Sequence, residues 1–148
     1  MAIKEIATNK IAYHEYFIID TYEAGLSLLG SEIKSIRKGK VQLKDAFISF
    51  INSEAYVKGM NIAKYDKGNI NNHEEDRERK LLLHKSEIIK LASKVKVQGF
   101  TVIPLKMYLK DGRAKLEIAL AKGKTLYDKR NDEKVKSMEK AAKQAMKR

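Results

Sequence analysis

The Asp-Gly pair at positions 111–112 constrains this chain more than any other feature, because alternating runs flank it on both sides. Downstream, Ala114, Leu116, Ile118 and Leu120 fall on one face, and Arg113, Lys115 and Glu117 on the other. That period of two marks a strand with one side in a core and the other in solvent. Upstream, residues 101–109 form the matching run, and a two-residue Asp-Gly connection predicts a hairpin. Pro104 removes one ladder donor, which places the first strand at an edge or a bulge. After Lys122-Gly123-Lys124 the alternation stops, and Asp128, Lys129 and Arg130 crowd around Tyr127. Six of the nineteen residues from 112 to 130 are Lys or Arg, and two are acidic. A stiff strand presenting cations, with more of them beside a ring at its exit, suits a polyanion whose bases can stack.

The balance of charge across the chain agrees. Its 148 residues fit one domain with a tail, and a formal charge of +12 with a pI near 9.7 calls for an acidic partner. Nucleic acid is the first candidate and an anionic membrane surface the second. The absence of cysteine excludes a disulfide framework and thiolate metal sites. No apolar run approaches the ~20 residues of a membrane span and no signal-peptide core follows Met1, so a cytoplasmic protein is the expectation.

Taken in order, residues 1–12 read as a loose arm. The aromatic and β-branched run from Tyr13 to Tyr22 predicts a strand, Glu23-Ala24-Gly25 a turn, and residues 26–29 its hairpin partner. Ser31 then caps a short helix from Glu32 to Lys38, stopped by Gly39. Residues 46–51 and 55–60 make a second hairpin around Asn52-Ser53-Glu54. Residues 61–80 carry no periodicity, and a structureless loop of that length is either functional or disordered. Leu81, Leu82 and Leu83 form a run too short to classify, with the three leucines expected against something. Ser86 caps a helix reaching Gln98, with Ile88, Leu91 and Val95 on one stripe and Gly99 as its stop. In the last eighteen residues Val135, Met138, Ala142 and Ala145 make a thin apolar stripe on a very basic segment. Such a helix is marginal in water, so the tail is expected to be disordered when free and helical only against a partner. Short strands in hairpins, two short helices and no βαβ rhythm predict a mainly β fold, a small closed antiparallel barrel of the OB type. The predicted division is a barrel domain over 1–130 and a basic tail over 131–148.

Residues of catalytic type give little. His73-Glu74-Glu75-Asp76 contains ligand chemistry, but consecutive loop residues mostly point to water. His14 lies on the predicted strand, where a surface or half-buried structural histidine outweighs a base. His84 follows the leucine run in a capping or packing position. There is no phosphate-binding glycine loop, no spaced carboxylate pair and no nucleophile elbow, so no catalytic residues, metal or cofactor are assigned. Tyrosines at 13, 16, 22, 56, 65, 108 and 127 interleave with the cations instead.

The local strings are more specific. Asn9-Lys10 with His14-Glu15-Tyr16, Tyr22-Glu23-Ala24-Gly25-Leu26, and Gly30-Ser31-Glu32-Ile33-Lys34-Ser35-Ile36-Arg37 resemble the opening of the SsrA-binding proteins, the small protein B family. So do Arg79-Lys80-Leu81-Leu82-Leu83-His84, Pro104-Leu105-Lys106-Met107-Tyr108, and Ala121-Lys122-Gly123-Lys124 leading to Asp128-Lys129-Arg130. The resemblance implies a bacterial, monomeric RNA-binding protein of trans-translation with an OB-like barrel. It would bind the tRNA-like part of transfer-messenger RNA and help deliver it, alanylated and carried by elongation factor Tu, to stalled ribosomes. Matched residue by residue, Glu23, Leu82 and Lys115 fall at positions linked to RNA contact, with His14, Tyr16, Lys122 and Lys124 counted on the same surface. Core burial is the alternative for Leu82, and a turn-stabilising carboxylate for Glu23. Tyr127, Asp128, Lys129 and Arg130 match the segment that reaches the decoding centre. Lys134, Met138 and Met146 belong to the tail that enters the vacant message channel, and Ala145-Met146 stands where relatives often have a bulkier apolar pair. The competing expectations are a general basic ribosome-associated or single-strand RNA-binding module, and a hydrolase acting on RNA.

Overall fold

The computed structural model describes residues 3–65 and 72–125. Strand β1 (Ile3–Thr8) and helix α1 (Lys10–Glu15) lead into a long strand β2 (Tyr16–Leu26) and helix α2 (Gly30–Arg37). Next come β3 (Val41–Gln42), the hairpin of β4 (Phe47–Ile51) and β5 (Glu54–Lys58), β6 (Asn61–Ile62) and β7 (Arg79–Leu82). Helix α3 (Lys85–Gln98) and the hairpin of β8 (Thr101–Lys110) and β9 (Arg113–Gly123) follow. The architecture is mainly β. Seven strands form one antiparallel sheet in the order β1-β8-β9-β2-β7-β5-β4, and β3 pairs with β6 apart from it. Among the described residues the ladder ends on β1 and β4, and β4 comes alongside β8 without pairing to it.

The β8–β9 hairpin forms where the sequence places it. Asp111 and Gly112 both take positive φ, at 51° and 80°, as a two-residue hairpin turn requires. Pairing runs Lys110↔Arg113, Leu109↔Ala114 and Tyr108↔Lys115, then shifts between Pro104 and Lys106. β1 pairs with β8 only as far as Lys106, so Pro104 has β9 alone as a ladder partner and stands beside a bulge, where its missing N–H is accommodated. The even-numbered face of β9 supplies Leu116, Ile118 and Leu120 to a core shared with Ile36, Met60, Leu81, Leu91 and Met107, all fully buried. Each such side chain contributes roughly 1.5–3 kcal/mol on burial. On the opposite face, Ala119 and Ala121 are small enough for α1 to lie against them through Ala12, beside Ile103 and Leu105. Asn9 fixes that contact, donating from Nδ2 to the Pro104 carbonyl at 3.1 Å while its backbone N–H bonds Leu105 at 2.7 Å.

Several local expectations are corrected. The opening residues are not a loose arm: β1 pairs with β8, and Lys10–Glu15 is helical, so the following strand begins at Tyr16 and not Tyr13, and His14 rides a helix. There is no turn at Glu23-Ala24-Gly25 and no hairpin return over 26–29. β2 runs straight through because β9 pairs with it as far as Gly25 and β7 pairs at Gly25 and Leu26. Ladders on both sides outweigh the local turn preference. Helix α2 is capped at Leu29, two residues before Ser31, where Glu32 reaches back to accept the Leu29 N–H at 2.8 Å. Helix α3 likewise starts after His84, not Ser86, with Glu87 accepting the His84 N–H at 3.1 Å. Within 61–80, β6 and β7 are regular strands.

Candidate nucleic-acid interface

Register places the predicted contacts on one surface. Tyr108 of β8 faces Lys115 of β9, Lys115 faces Gly25 of β2, and Gly25 faces Leu82 of β7. Directly opposed residues of antiparallel neighbours share a face, so these four form a row across the sheet. The adjoining row on that face is Lys106, Glu117 and Glu23. Neighbours in sequence confirm the direction, since Ala24, Leu81, Met107 and Leu116 point the other way into the core.

Glu23 is the electrostatic centre of this surface. The Tyr108 hydroxyl donates to Glu23 Oε2, and Lys110 Nζ lies 3.6 Å from Oε1. The Tyr108 hydrogen bond holds the Glu23 carboxyl below its ordinary range, against a smaller opposing effect of burial and with help from Lys110 and Lys115. Burial and the anionic acceptor push the Tyr108 phenol well above its usual value, so it stays a donor. Glu23, Asp111 and the cations Lys110, Arg113 and Lys115 line one shallow hollow at the hairpin end, and the Tyr108 phenol bonds the Glu23 carboxylate. That set can accept from a base edge and pair with phosphates at once. The alternative of a turn-stabilising carboxylate fails, since Glu23 sits mid-strand.

Leu82 is 55% exposed, which removes core burial as its explanation. Of the leucine run only Leu81 is fully buried, with Leu83 packed partly against the core. Gly25 is what lets Leu82 lie down: a Cβ at that position would come within 3.2 Å of the Leu82 Cβ. The result is a cleft of about 300 Å³ bordered by Leu26, Leu28, Ile33 and Leu82, with Arg37, Arg113 and Lys115 at its rim. An apolar notch ringed by cations fits an unstacked base with its flanking phosphates.

Beneath this surface lies a buried knot of charge that fixes α2 to β7. Arg79 and Glu32 are fully buried and meet at 2.6 Å, and Arg77 reaches the other Glu32 oxygen at 2.6 Å. Arg79 spends its remaining donors on the carbonyls of Met60, Glu74 and Glu75. Burial alone raises the Glu32 pKa, but donors from Arg77, the Leu29 backbone and Arg79 outweigh it and hold the carboxyl below the usual range. His73 corrects the solvated-loop expectation. It is buried, its Nε2 lies 2.9 Å from the Ile62 carbonyl and its Nδ1 2.8 Å from Ser31 Oγ. A carbonyl only accepts, so Nε2 carries a hydrogen and donates it to Ile62. Among the described residues no His, Asp and Glu cluster has metal-holding geometry.

The remaining predicted residues lie elsewhere. β9 alternates without a bulge of its own, so Lys122 points to the face opposite Lys115, about 23 Å along the strand. There it opposes Phe17, a 40%-exposed ring with Lys124 Nζ 5.0 Å from its centroid. Tyr16 is half-buried beside Ala121 and His14 is exposed on α1. The structure therefore unites Glu23, Leu82 and Lys115 and separates them from Lys122 and Lys124. Tyr127, Asp128, Lys129, Arg130, Lys134, Met138 and Met146 lie outside the described residues. Tyr108, Gly25 and Phe17 are the residues that sequence reasoning did not assign to the site. Tyr108 was within reach of it, because counting back from a two-residue turn pairs 108 with 115.

The comparisons with known proteins point the same way. Residues 6–148 match the family model described as SmpB protein. The SsrA-binding protein of Persephonella marina is 55% identical over 138 residues, covering 93% of this chain and 91% of that one. That of Bacillus cereus is 58% identical over 133 residues, covering 90% and 86%. A solved chain from "tmRNA-SmpB: a journey to the center of the bacterial ribosome" superposes with a TM-score of 0.68 at 43% identity, covering 84% of this chain and 91% of that one. The chain belongs to the SmpB protein family.

Proposed function

We propose that this chain binds the tRNA-like part of transfer-messenger RNA and helps deliver it to stalled ribosomes for trans-translation. Likeness to SsrA-binding proteins over nine-tenths of the chain supports this, as does a neighbour solved with transfer-messenger RNA on the ribosome. The observation that carries it is the row of Tyr108, Lys115, Gly25 and Leu82 beside Glu23 on the face of the sheet opposite the core. A preformed β face grips a folded RNA by shape and charge, without chemistry on it. The approach of β4 to β8 supports a sheet curled into an OB-like barrel. Lys122 and Lys124, with Phe17, give the far end of the sheet a separate basic and aromatic face for RNA, while Tyr16 packs on the opposite side and His14 stands on α1.

The division of labour is a body over 1–130 and a tail over 131–148. The tail enters the empty message channel, led by Tyr127, Asp128, Lys129 and Arg130, and carries Lys134, Met138 and Met146. It gains helix only there, so ordering entropy is recovered only when the channel is vacant. The protein acts as a bacterial cytoplasmic monomer, with elongation factor Tu carrying the alanylated RNA. The test is competition between the tRNA-like domain and bulk tRNA, paired with deletion of 131–148. A strong preference for the tRNA-like domain, retained by the truncated chain while tagging of stalled products is lost, is the expected result. Equal affinity for both RNAs would favour a general basic RNA-binding module, and cleavage of the RNA would mark a hydrolase.

A further inference from the structure

Helix α2 carries a second cationic surface that the row on the sheet does not include. Its Glu32, Ser35 and Ile36 face inward and are buried, while Lys34, Arg37 and Lys38 face solvent. Lys34 Nζ lies 5.4 Å and Lys38 Nζ 5.0 Å from the centre of one ring, that of Tyr65. The backbone that carries the ring is held in place. Asn72 clamps the Tyr65 backbone from both sides, accepting its N–H at 3.2 Å and donating to its carbonyl at 2.8 Å.

Like charges four apart on a helix repel, so two lysines gathered at one ring cost stability unless an anion relieves them. A carboxylate would neutralise them; an aromatic face attracts each ammonium through its quadrupole and leaves its charge intact. Among the described residues no carboxylate pairs with Lys34, Arg37 or Lys38, and the one acid of α2, Glu32, is consumed by Arg77 and Arg79. That same buried ion pair makes α2 a rigid carrier. Arg37 already stands at the rim of the Leu82 cleft, one turn from Lys34 and next to Lys38.

We propose that Lys34, Lys38 and Tyr65 form a phosphate-binding ridge that continues the RNA path from the Leu82 cleft across α2, with Arg37 as the link. The proposal rests on the RNA-binding reading above and names where the backbone of that RNA leaves the sheet. Its ligand is the RNA sugar-phosphate chain, recognised by charge and spacing and not by base identity.

The test uses the full chain and the tRNA-like domain of transfer-messenger RNA, with affinity measured across salt concentrations for wild type, Lys34→Ser/Lys38→Ser and Lys115→Ala. All three positions are at the surface, so the fold is retained. For the double variant the log–log salt slope should become shallower by about 1–2, with affinity down about tenfold near ~0.1 M salt. Tyr65→Leu keeps both charges and should preserve the slope while weakening binding by only a few-fold. If Lys115→Ala flattens the slope and the double variant does not, the ridge is refuted and the sheet face stands. If only the double variant flattens it, the ridge stands and the sheet face is wrong. Binding by wild type that is insensitive to salt would overturn both.

Discussion

Glu32 and Glu23 stand nine residues apart in sequence, each with a basic or phenolic partner, and they do opposite work. Glu32 is fully buried between two guanidiniums and ties α2 to β7. Glu23 is exposed on a strand, with Tyr108 and Lys110 beside it and room in front. Both carboxyls are held below their ordinary range. The shift therefore does not distinguish them; burial does. A buried carboxylate with every oxygen used holds a fold, whereas an exposed one with spare acceptor capacity can meet a ligand.

The sharpest way to break that contrast is to remove each acid. Glu32→Ala leaves Arg79 buried without its counter-charge and should cost about 3–5 kcal/mol in urea unfolding. Glu23→Ala should stay within about 0.5 kcal/mol, as surface substitutions do. Equal losses would erase the distinction. Acid titration sharpens it further. The folded pKa of Glu32 is depressed, so its stabilisation is complete above the ordinary carboxylate range and disappears as pH falls through that range to the folded value. Urea midpoints should fall with pH there for wild type and fall less for Glu32→Gln. Next in size, Lys115→Ala should flatten the salt dependence of RNA binding by about one phosphate contact, at unchanged stability. The smallest effect belongs to Ser35 on the same helix, whose Oγ is buried without a partner among the described residues. Ser35→Ala should raise stability by about 1 kcal/mol or less, seen as a higher urea midpoint, and leave RNA binding alone.

The same contrast explains what the sequence could and could not disclose. The β8–β9 hairpin, the inward face of Leu116, Ile118 and Leu120, and the glycine stops at Gly39 and Gly99 follow from local rules. Local rules also mislead. Gly25 looks like a turn glycine, yet it serves a close approach to a strand from far along the chain. Glu32 looks like a helix-dipole acid, and it does bond the first turn, but its buried partner Arg79 lies 47 residues on. His73 looks solvated among acids, and its burial depends on α2 and β6 folding over it. Of the site, Lys115 and its partner Tyr108 are legible by counting from a turn. Glu23 and Leu82 join them only through β2 pairing with β9 and β7, which no local pattern encodes.

The most direct test of the outer face is the paired variant Leu82→Ala/Lys115→Ala, assayed for binding to the tRNA-like domain and for urea unfolding on the same preparation. RNA affinity should drop by at least about tenfold, while the unfolding free energy stays within about 0.5 kcal/mol of wild type. Undiminished affinity in a folded variant would contradict the account.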